Sequence, residues 1–468
     1  MKLRKKITAA IAAAAIVAPV GTTAVRAGNT IDGTGATFPA NMYDICAAQY
    51  NKSSALNPNG DTVAYVSPTG SGAGKTAFTN QTKTWAGTDS VYAATAPQPS
   101  FPYVYVPLVS GAIAVMYRLD GVTPAGAPVQ LSQETVGKIF AGKIKTWNDA
   151  AIVADNTATT VKAVSKVTKG GVTVTIAKSG TKVKFSIAAT AAGLKKYAKK
   201  NVKISRVTVA GTKTTSTGIY DKVVAAKGTT TVAHKTGATY AVKVGNTSLG
   251  SVAVDDTTIG TTLKLPATPI KVAYRSGTSG TTNNFTNFLN KSAGSIWTNA
   301  ANDSFTTAFP GGSSAVPADG TFQAASGSDG VANYVKDNNG SITYTEMSYV
   351  EERRTASIQS ASIRNNAGRY VQPSAAATAA FYAEAAIADN GVVTPDYTVA
   401  AADAYLVNAI SYGLGATAAS ANNVAVRNWF TYVLNKCVPA NGPGAYYAPI
   451  SGSLQTKALF QAAKIGEG

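Results

Sequence analysis

The sequence predicts an α/β layered protein that is interrupted by an all-β segment, and three observations support this. At 468 residues the chain is longer than one ordinary hydrophobic core requires, which favours two or three domains. Outside residues 156–266, short apolar runs of strand length alternate with stretches compatible with helices. Inside that segment, apolar and polar residues alternate between glycine turns, as in half-buried antiparallel strands.

The predicted α/β body consists of apolar strands followed by helices. Val104–Val109 and Ala112–Tyr117 have the length and composition of buried strands, and Lys271–Tyr274 predicts a further strand. Asn284–Asn290 and Val424–Leu434 predict helices, of which the second is amphipathic. In such folds ligands bind at loops beyond the carboxyl ends of the strands, so we expect the binding site there.

The segment 156–266 differs from the body in both pattern and charge. The alternation in Val172–Ile176, Lys182–Ile187 and Tyr240–Val244 predicts a small β-sandwich or barrel, with a helix only at Ala191–Lys200. The segment holds 18 Lys and Arg residues against three Asp, and the rest of the chain beyond residue 27 has 19 basic and 20 acidic residues. The formal net charge of +19 therefore belongs mainly to this segment.

Two interpretations of these lysines remain open. They form either a solvated strand face that aids solubility, or a surface that attracts an anionic cell-envelope polymer. Nucleic acid is not expected as a partner, because few aromatic residues interleave with the lysines and an exported protein meets little nucleic acid.

The first 27 residues have the pattern of a secretory signal peptide. A basic start at Met1–Lys6 precedes the apolar stretch Ile7–Val20, and Val25–Ala27 offers a small-residue cleavage site. No cysteine follows that site, so no lipid anchor is evident. We expect an exported protein in the periplasm or at the exterior of the cell envelope.

The cysteine and histidine content restricts the chemistry. In an oxidising compartment the pair Cys46 and Cys437 favours a disulfide, with two buried free thiols as the alternative. One histidine, His234, and two cysteines do not supply a convincing zinc site or a Ser/His or Cys/His catalytic pair. This argues against the familiar hydrolase designs and predicts no metal.

Three loops rich in glycine and hydroxyl residues open predicted helices. They are Gly35–Phe38, Gly70–Gly74 and Arg275–Thr281. The first backbone N–H groups of a helix are unpaired and lie at the positive end of its dipole, where an anion binds well. Each hydroxyl alone is more often a helix cap. Three such loops, one of them led by an arginine, indicate a chain that encloses a small oxyanion.

Short motifs are distributed from Ile31 to about Lys464, outside the basic segment. They are Gly33–Pro39, Gly70–Gly74, Thr88–Asp89, Gly142–Asp149, Arg275–Thr281, Gly327–Val331, Gly340–Tyr344 and Tyr447–Ile450. In combination, these motifs make the chain resemble the phosphate-binding protein of the bacterial phosphate ABC transporter.

The resemblance implies a two-lobed periplasmic-binding-protein fold of type II-like architecture, without catalytic activity and without a cofactor. The implied boundaries are a signal peptide at 1–27, lobe one at 28–107 and 372–468, lobe two at 108–155 and 267–371, and an inserted basic all-β domain at 156–266. Lobe one then contains both ends of the chain, which is compatible with a bridge between Cys46 and Cys437.

Carried over residue by residue, the resemblance also implies a set of phosphate ligands. They are Thr37, the backbone N–H of Phe38, Ser71, Asp89, Arg275, Ser279, the backbone N–H of Gly280, and Thr281. Arg275 is the only permanent positive charge among them, and its fork can hold two oxygens. Asp89 can only accept while it is ionised, so it tolerates phosphate, which has a proton to donate near neutral pH, and repels fully ionised sulfate.

The sequence departs from the family's pattern at three points. Many members have an acidic residue two positions after the arginine that holds it in place, and here that residue is Gly277. The alignment at Ser71 needs a shift of one residue, which makes Gly70 an alternative. With no lipid anchor evident, the basic segment is a candidate for retaining the protein electrostatically.

We therefore expect an exported monomer that captures inorganic phosphate between its lobes and delivers it to a membrane ABC permease. Two alternatives remain. One is a binding protein for another oxyanion. The other is a wall or surface interaction protein that reuses the fold, with the basic segment as its binding part.

Overall fold

The computed structural model of the protein describes residues 28–161, 165–210, 213–255, 257–259 and 262–468. The predicted signal peptide lies outside these residues. Ala158–Gly260 form one compact unit, which we call the β unit, and the chain before and after them forms a second, the α/β unit. Within the described ranges, no helix combines the length and the apolar character needed to cross a membrane.

The strands and helices alternate in the α/β unit, whereas the β unit is almost entirely strands. The strands are β1 (Thr30–Gly35), β2 (Thr62–Tyr65), β3 (Trp85–Thr88), β4 (Tyr103–Arg118), β5 (Gln130–Leu131), β6 (Thr159–Val161), β7 (Lys166–Lys169), β8 (Val172–Ser179), β9 (Lys182–Ala189), β10 (Asn201–Ala210), β11 (Lys213–Val223), β12 (Lys227–Ala233), β13 (Thr239–Val244), β14 (Thr247–Ala253), β15 (Thr257–Ile259), β16 (Lys271–Arg275), β17 (Phe322–Ala325), β18 (Ser341–Glu346), β19 (Ile358–Ser360), β20 (Ser362–Arg364), β21 (Tyr370–Val371), β22 (Ala386–Ile387), β23 (Val393–Thr394), β24 (Asn408–Ala416) and β25 (Tyr447–Ala448). The α-helices are α1 (Ala40–Tyr50), α2 (Ser71–Thr79), α3 (Gln133–Phe140), α4 (Ala150–Asp155), α5 (Ala191–Lys196), α6 (Gly280–Ser292), α7 (Phe305–Ala308), α8 (Gly327–Asp337), α9 (Met347–Glu351), α10 (Ala375–Tyr382), α11 (Ala421–Tyr432), α12 (Val438–Asn441) and α13 (Gly452–Ala463).

The long strand β4 connects the two lobes of the α/β unit. Its first part pairs with β24 in an antiparallel ladder, and β24 continues through β3 and β1 to β2. Its last part, Ile113–Tyr117, pairs with β18, which continues through β16 to β17. The outer strands of each half run parallel, as expected for strands joined by helical crossovers. We call the half with β1–β3 lobe one and the half with β16–β18 lobe two.

The sequence predicts two strands where the structure has the single strand β4, which is buried from Val104 to Tyr117. The two apolar runs are separated by Ser110 and Gly111. The hydroxyl of Ser110 donates to the carbonyl of Ala448 at 3.1 Å, so this polar group is satisfied inside the sheet. A Cβ at Gly111 would lie 3.0 Å from the Phe38 ring, so glycine lets that ring pack on the strand.

A disulfide joins the two ends of the α/β unit. Cys46 lies on α1, and Cys437 ends a π-helical turn, Val433–Cys437, that follows α11. Their Cα atoms are 5.6 Å apart and the two residues are separated by 391 positions. Both side chains are buried among the aromatic residues of lobe one, so the bridge is part of its core.

The β unit is a sandwich of two four-stranded antiparallel sheets. Their strand orders are β11-β10-β13-β14 and β12-β9-β8-β7. Valine and isoleucine side chains from both sheets form one core, in which the rings of Phe185 and Tyr240 meet at 5.0 Å between centroids. Helix α5 ends at Lys196 rather than at the predicted Lys200, and Lys199 has the left-handed φ of 59° that no longer continues a helix.

Candidate functional site

Lobe one contributes two loops that open helices. Thr37 and Phe38 precede α1, and both are buried. The carbonyl of Phe38 accepts from the hydroxyl of Tyr447 at 2.8 Å, and that of Thr37 accepts from the hydroxyl of Tyr349 at 3.1 Å. These bonds hold the loop in place and leave the hydroxyl of Thr37 facing lobe two.

Ser71, rather than its neighbour Gly70, supplies a side chain to the site. It is the first residue of α2, is fully buried, and its Oγ accepts from the backbone N–H of Asp89 at 3.0 Å. Its own proton remains available for a further bond. The N–H of Gly70 instead donates to the carbonyl of Gly35 at 2.9 Å, so this amide is already committed.

Lobe two contributes the loop between β16 and α6. Arg275 ends β16, and Ser279 caps α6 by accepting from the N–H of Thr282 at 3.2 Å. This cap starts the helix at Gly280, inside the loop Arg275–Thr281 that was predicted to open it. A Cβ at Gly280 would lie 2.5 Å from Ser71 Oγ, so glycine is what allows the two loops to approach each other.

Asp89 lies between the two lobes. It follows β3 and is 3% exposed. Its Oδ1 accepts from the hydroxyl of Ser411 at 2.7 Å, and its Oδ2 accepts from the hydroxyl of Thr281 at 3.2 Å. Burial raises the pKa of Asp89 to about 7, although the Ser411 bond, the charge on Arg275 and the Thr281 bond all lower it.

Arg275 is a buried cation that forms no ion pair among the described residues, although it interacts with the charge of Asp89. Arg275 is 3% exposed, and burial lowers the pKa of its guanidinium. Nη1 donates to the hydroxyl of Ser328 at 3.5 Å, and Nε has no hydrogen-bond partner among the described residues. Gly277 is exposed, and a Cβ there would meet no atom within 4 Å.

Further bonds join the lobes around these residues. Lys75 of α2 forms an ion pair with Asp303 of lobe two at 2.9 Å. The amide of Asn284 donates to the carbonyl of Asp89 at 2.6 Å, and the N–H of Gly72 donates to the carbonyl of Thr278 at 3.2 Å. The lobes are therefore in direct contact on both sides of Asp89.

Two residues of this site, Ser328 and Ser411, were not predicted from the sequence. Ser328 is the second residue of α8 and its Oγ lies 2.9 Å from Thr37 Oγ1. It belongs to the motif Gly327–Val331, whose glycine and serine at a helix start were a usable signal. Ser411 is a buried polar residue in the mainly apolar strand β24, and nothing in its sequence neighbourhood points to Asp89.

The site therefore consists of four helix N-termini, one buried guanidinium and one buried carboxyl group. The N-termini of α1 and α8 meet at Thr37 and Ser328, and those of α2 and α6 meet at Ser71 and Gly280. Across residues 28–468, apart from the undescribed gaps, no cluster of three or more His, Cys, Asp and Glu side chains could hold a metal ion. Hydroxyl and amide donors around an arginine suit an anion.

Comparison with known proteins identifies the family. A sequence model described as a PBP superfamily domain matches residues 20–262 and 255–436. The chain belongs to the PBP superfamily. The phosphate-binding protein PstS of Haemophilus influenzae is 25% identical over 358 residues, which are 76% of this chain and 69% of that protein.

A shorter and more similar match is the phosphate-binding protein PstS of Xylella fastidiosa (strain Temecula1), at 36% identity over 118 residues. This alignment covers 25% of the chain and only 29% of that relative. A solved structure of the phosphate-binding protein PfluDING, bound with phosphate, superposes with a TM-score of 0.53 at 20% identity, covering 91% of this chain and 92% of that one. The two-lobed periplasmic-binding-protein fold predicted from the sequence is confirmed.

Proposed function

We propose that this protein captures inorganic phosphate between its two lobes and delivers it to a membrane ABC permease. The observation that carries the proposal is Asp89, a buried carboxyl group placed among hydroxyl donors and beside a buried arginine. The relatives of known sequence and structure are named as phosphate-binding proteins, which supports the same ligand.

The proposed ligands are Thr37, Phe38, Ser71, Asp89, Arg275, Ser279, Gly280 and Thr281. Arg275 supplies charge, and the helix N-termini supply uncharged donors, so the anion is neutralised mainly by dipoles. Because these groups come from both lobes, the anion completes its hydrogen bonds only when the lobes are closed, and binding therefore favours the closed state.

Asp89 is the proposed selectivity residue. When ionised it accepts a hydrogen bond from the O–H group of phosphate, whereas sulfate presents only lone pairs to it. While Asp89 stays ionised, an unpaired acceptor facing an anion in a buried site costs several kcal/mol. Protonating Asp89 costs only about 1.4 kcal/mol for each pH unit above its pKa of about 7, so the penalty against sulfate is about tenfold at a pH of about 8 and grows as the pH rises. A site built in this way binds phosphate, which carries a proton, and discriminates against oxyanions that are fully ionised.

The test is titration calorimetry of ligand-stripped protein with phosphate and with sulfate, at a pH of about 8. We expect tight phosphate binding for the natural protein, and sulfate binding about tenfold weaker than that of Asp89→Asn, because an amide can always donate. Asp61→Asn is the matched control, since Asp61 is also a buried aspartate of lobe one and bonds to Asn29 outside the site. Heat with neither anion, or equal heat with both, would overturn the proposal.

Delivery to a permease and action as a monomer complete the proposed function. Cells that lack this chain should take up labelled phosphate more slowly under phosphate limitation, and the purified protein should elute as a monomer in light scattering. Unchanged uptake would instead favour the alternative in which the fold serves an interaction at the cell surface.

The β unit supports a second proposed role, which is retention of the protein by an anionic cell-envelope polymer. We propose that residues 156–266 are a domain inserted in lobe two that has this role. On the outer face of the sheet β12-β9-β8-β7, the strand register places Lys166, Lys182, Lys184 and Lys227 among threonine, serine and alanine residues. All four lysines are exposed, and no acidic residue lies on that face of the described strands.

Washing intact cells with rising salt tests this role, because exposed charges lose their attraction as the Debye length shortens. We expect high salt to release the natural chain. We expect low salt to be enough to release the triple variant Lys182→Gln, Lys184→Gln and Lys227→Gln. Replacing the exposed α/β-unit lysines Lys52, Lys143 and Lys291 by Gln is the control with the same charge change. Equal release of both variants would contradict a specific role of the sheet face.

A further inference from the structure

The guanidinium of Arg275 has an uncharged protein partner where a buried cation usually has a carboxylate. The residue is 3% exposed, and its one side-chain hydrogen bond in the described structure runs from Nη1 to Ser328 Oγ at 3.5 Å. No described carboxylate forms an ion pair with it within 4.0 Å, and its buried Nε lacks a described partner. A buried charge without a counter-ion is costly, so this arrangement indicates an anion as its partner.

Ser328 is buried and makes hydrogen-bond contacts with residues of both lobes. It is 1% exposed and lies in the first turn of the 11-residue helix α8, whose N-cap Ser326 makes no side-chain cap bond. Its Oγ lies 2.9 Å from Thr37 Oγ1, and its N–H donates to the same oxygen at 3.3 Å. Ser328 of lobe two therefore contacts both a proposed ligand of lobe one and the arginine of its own lobe.

A hydroxyl and a carboxylate in this place would have different effects on the anion. A carboxylate would hold the guanidinium firmly but would cancel most of its charge in a buried site. A hydroxyl holds one N–H group by a neutral bond, and it can rotate to donate its own proton elsewhere. The charge of Arg275 then remains available to the ligand.

We propose that Ser328 is a further binding residue of the anion site, which positions Arg275 and Thr37 through a neutral hydroxyl and adds no further negative charge beside the guanidinium. This inference rests on the proposed function. It adds α8 as a helix whose N-terminus faces the ligand.

The experiment is phosphate calorimetry on the full chain with two variants. Ser328→Ala should raise the phosphate Kd about tenfold or more, because it removes a hydrogen bond to a charged group. Ser341→Ala is the matched control, since Ser341 is a fully buried lobe-two serine that bonds only to the carbonyls of Val335 and Asn338. Its Kd should stay within about twofold, even though it loses a similar bond.

Equal Kd values for Ser328→Ala and Ser341→Ala would overturn the inference. If the natural protein itself binds no phosphate, the proposed function fails before the variants are compared.

Discussion

The anion site and the β unit both carry positive charge, but they use it in opposite ways. The site holds one guanidinium, buried and without a described ion pair, among hydroxyl and backbone donors. The β unit spreads its lysines over strands whose outer face is exposed to solvent, where surface charges are screened. A single desolvated charge can recognise the shape and proton content of one small anion, whereas many solvated charges attract any polyanion. The difference shows that net charge says little about where recognition takes place.

The largest expected effect comes from removing the buried charge. Arg275→Ala should raise the phosphate Kd by about a hundredfold or more, because it deletes the only permanent cation of the proposed site. Arg275→Lys keeps the charge and loses the fork, so its Kd should rise less, by about tenfold. Calorimetry on both variants measures this. A Kd for Arg275→Ala close to that of the natural protein would show that the dipoles alone hold the anion. It would contradict the role given to a single buried charge in the site.

An intermediate effect is expected from pH, through Asp89. Burial raises the pKa of this carboxyl to about 7, so it holds a proton below that pH and can then donate to sulfate. Sulfate affinity should rise about tenfold for each unit that the pH falls toward 7, and should level off below it. Asp89→Asn always donates, so its sulfate Kd should not depend on pH in this range. A pH-independent sulfate affinity in the natural protein would contradict the role of Asp89.

The same raised pKa affects folding in the unliganded protein. Between the usual pKa of 3.8 and the raised value of about 7, the folded state binds more protons than the unfolded state, so stability falls as the pH rises through this window. Asp89→Asn removes this contribution. Urea unfolding of both proteins at several pH values should therefore show a smaller pH dependence for the variant. Parallel curves would indicate that Asp89 is ionised at lower pH than proposed.

The smallest expected effect is that of salt on the site. Raising sodium chloride from about 0.05 to about 0.5 M should change the phosphate Kd less than about threefold, because a buried charge is weakly screened. The same change should release the protein from the cell envelope, since the lysines of the β unit are exposed. Calorimetry and the cell wash, performed on one preparation, compare the two regions directly. Equal salt sensitivity would mean that both regions bind anions by surface attraction.

Much of the site could be predicted because its parts are local. A serine followed by glycine and threonine after a strand is enough to start α6, and the cap bond from Thr282 to Ser279 spans three residues. The alternation of side chains in β8 and β9 is likewise a local pattern. The long strand β4 could not be distinguished from two shorter ones, because the partners that pair with Ser110 and Gly111, in β24 and β25, come from distant parts of the chain.

The sequence by itself determined the helix starts, the concentration of charge in one segment and the resemblance that led to the two-lobed fold, since each depends on residues close together in the chain. Only the tertiary structure decided the partners of the charged groups. Ser328 reaches Thr37 across 291 residues, and Ser411 reaches Asp89 across 322. No local pattern encodes such contacts, because they form only when β24 and α8 pack beside loops from distant parts of the chain. Their result is a buried arginine held by a hydroxyl and a buried aspartate held by two.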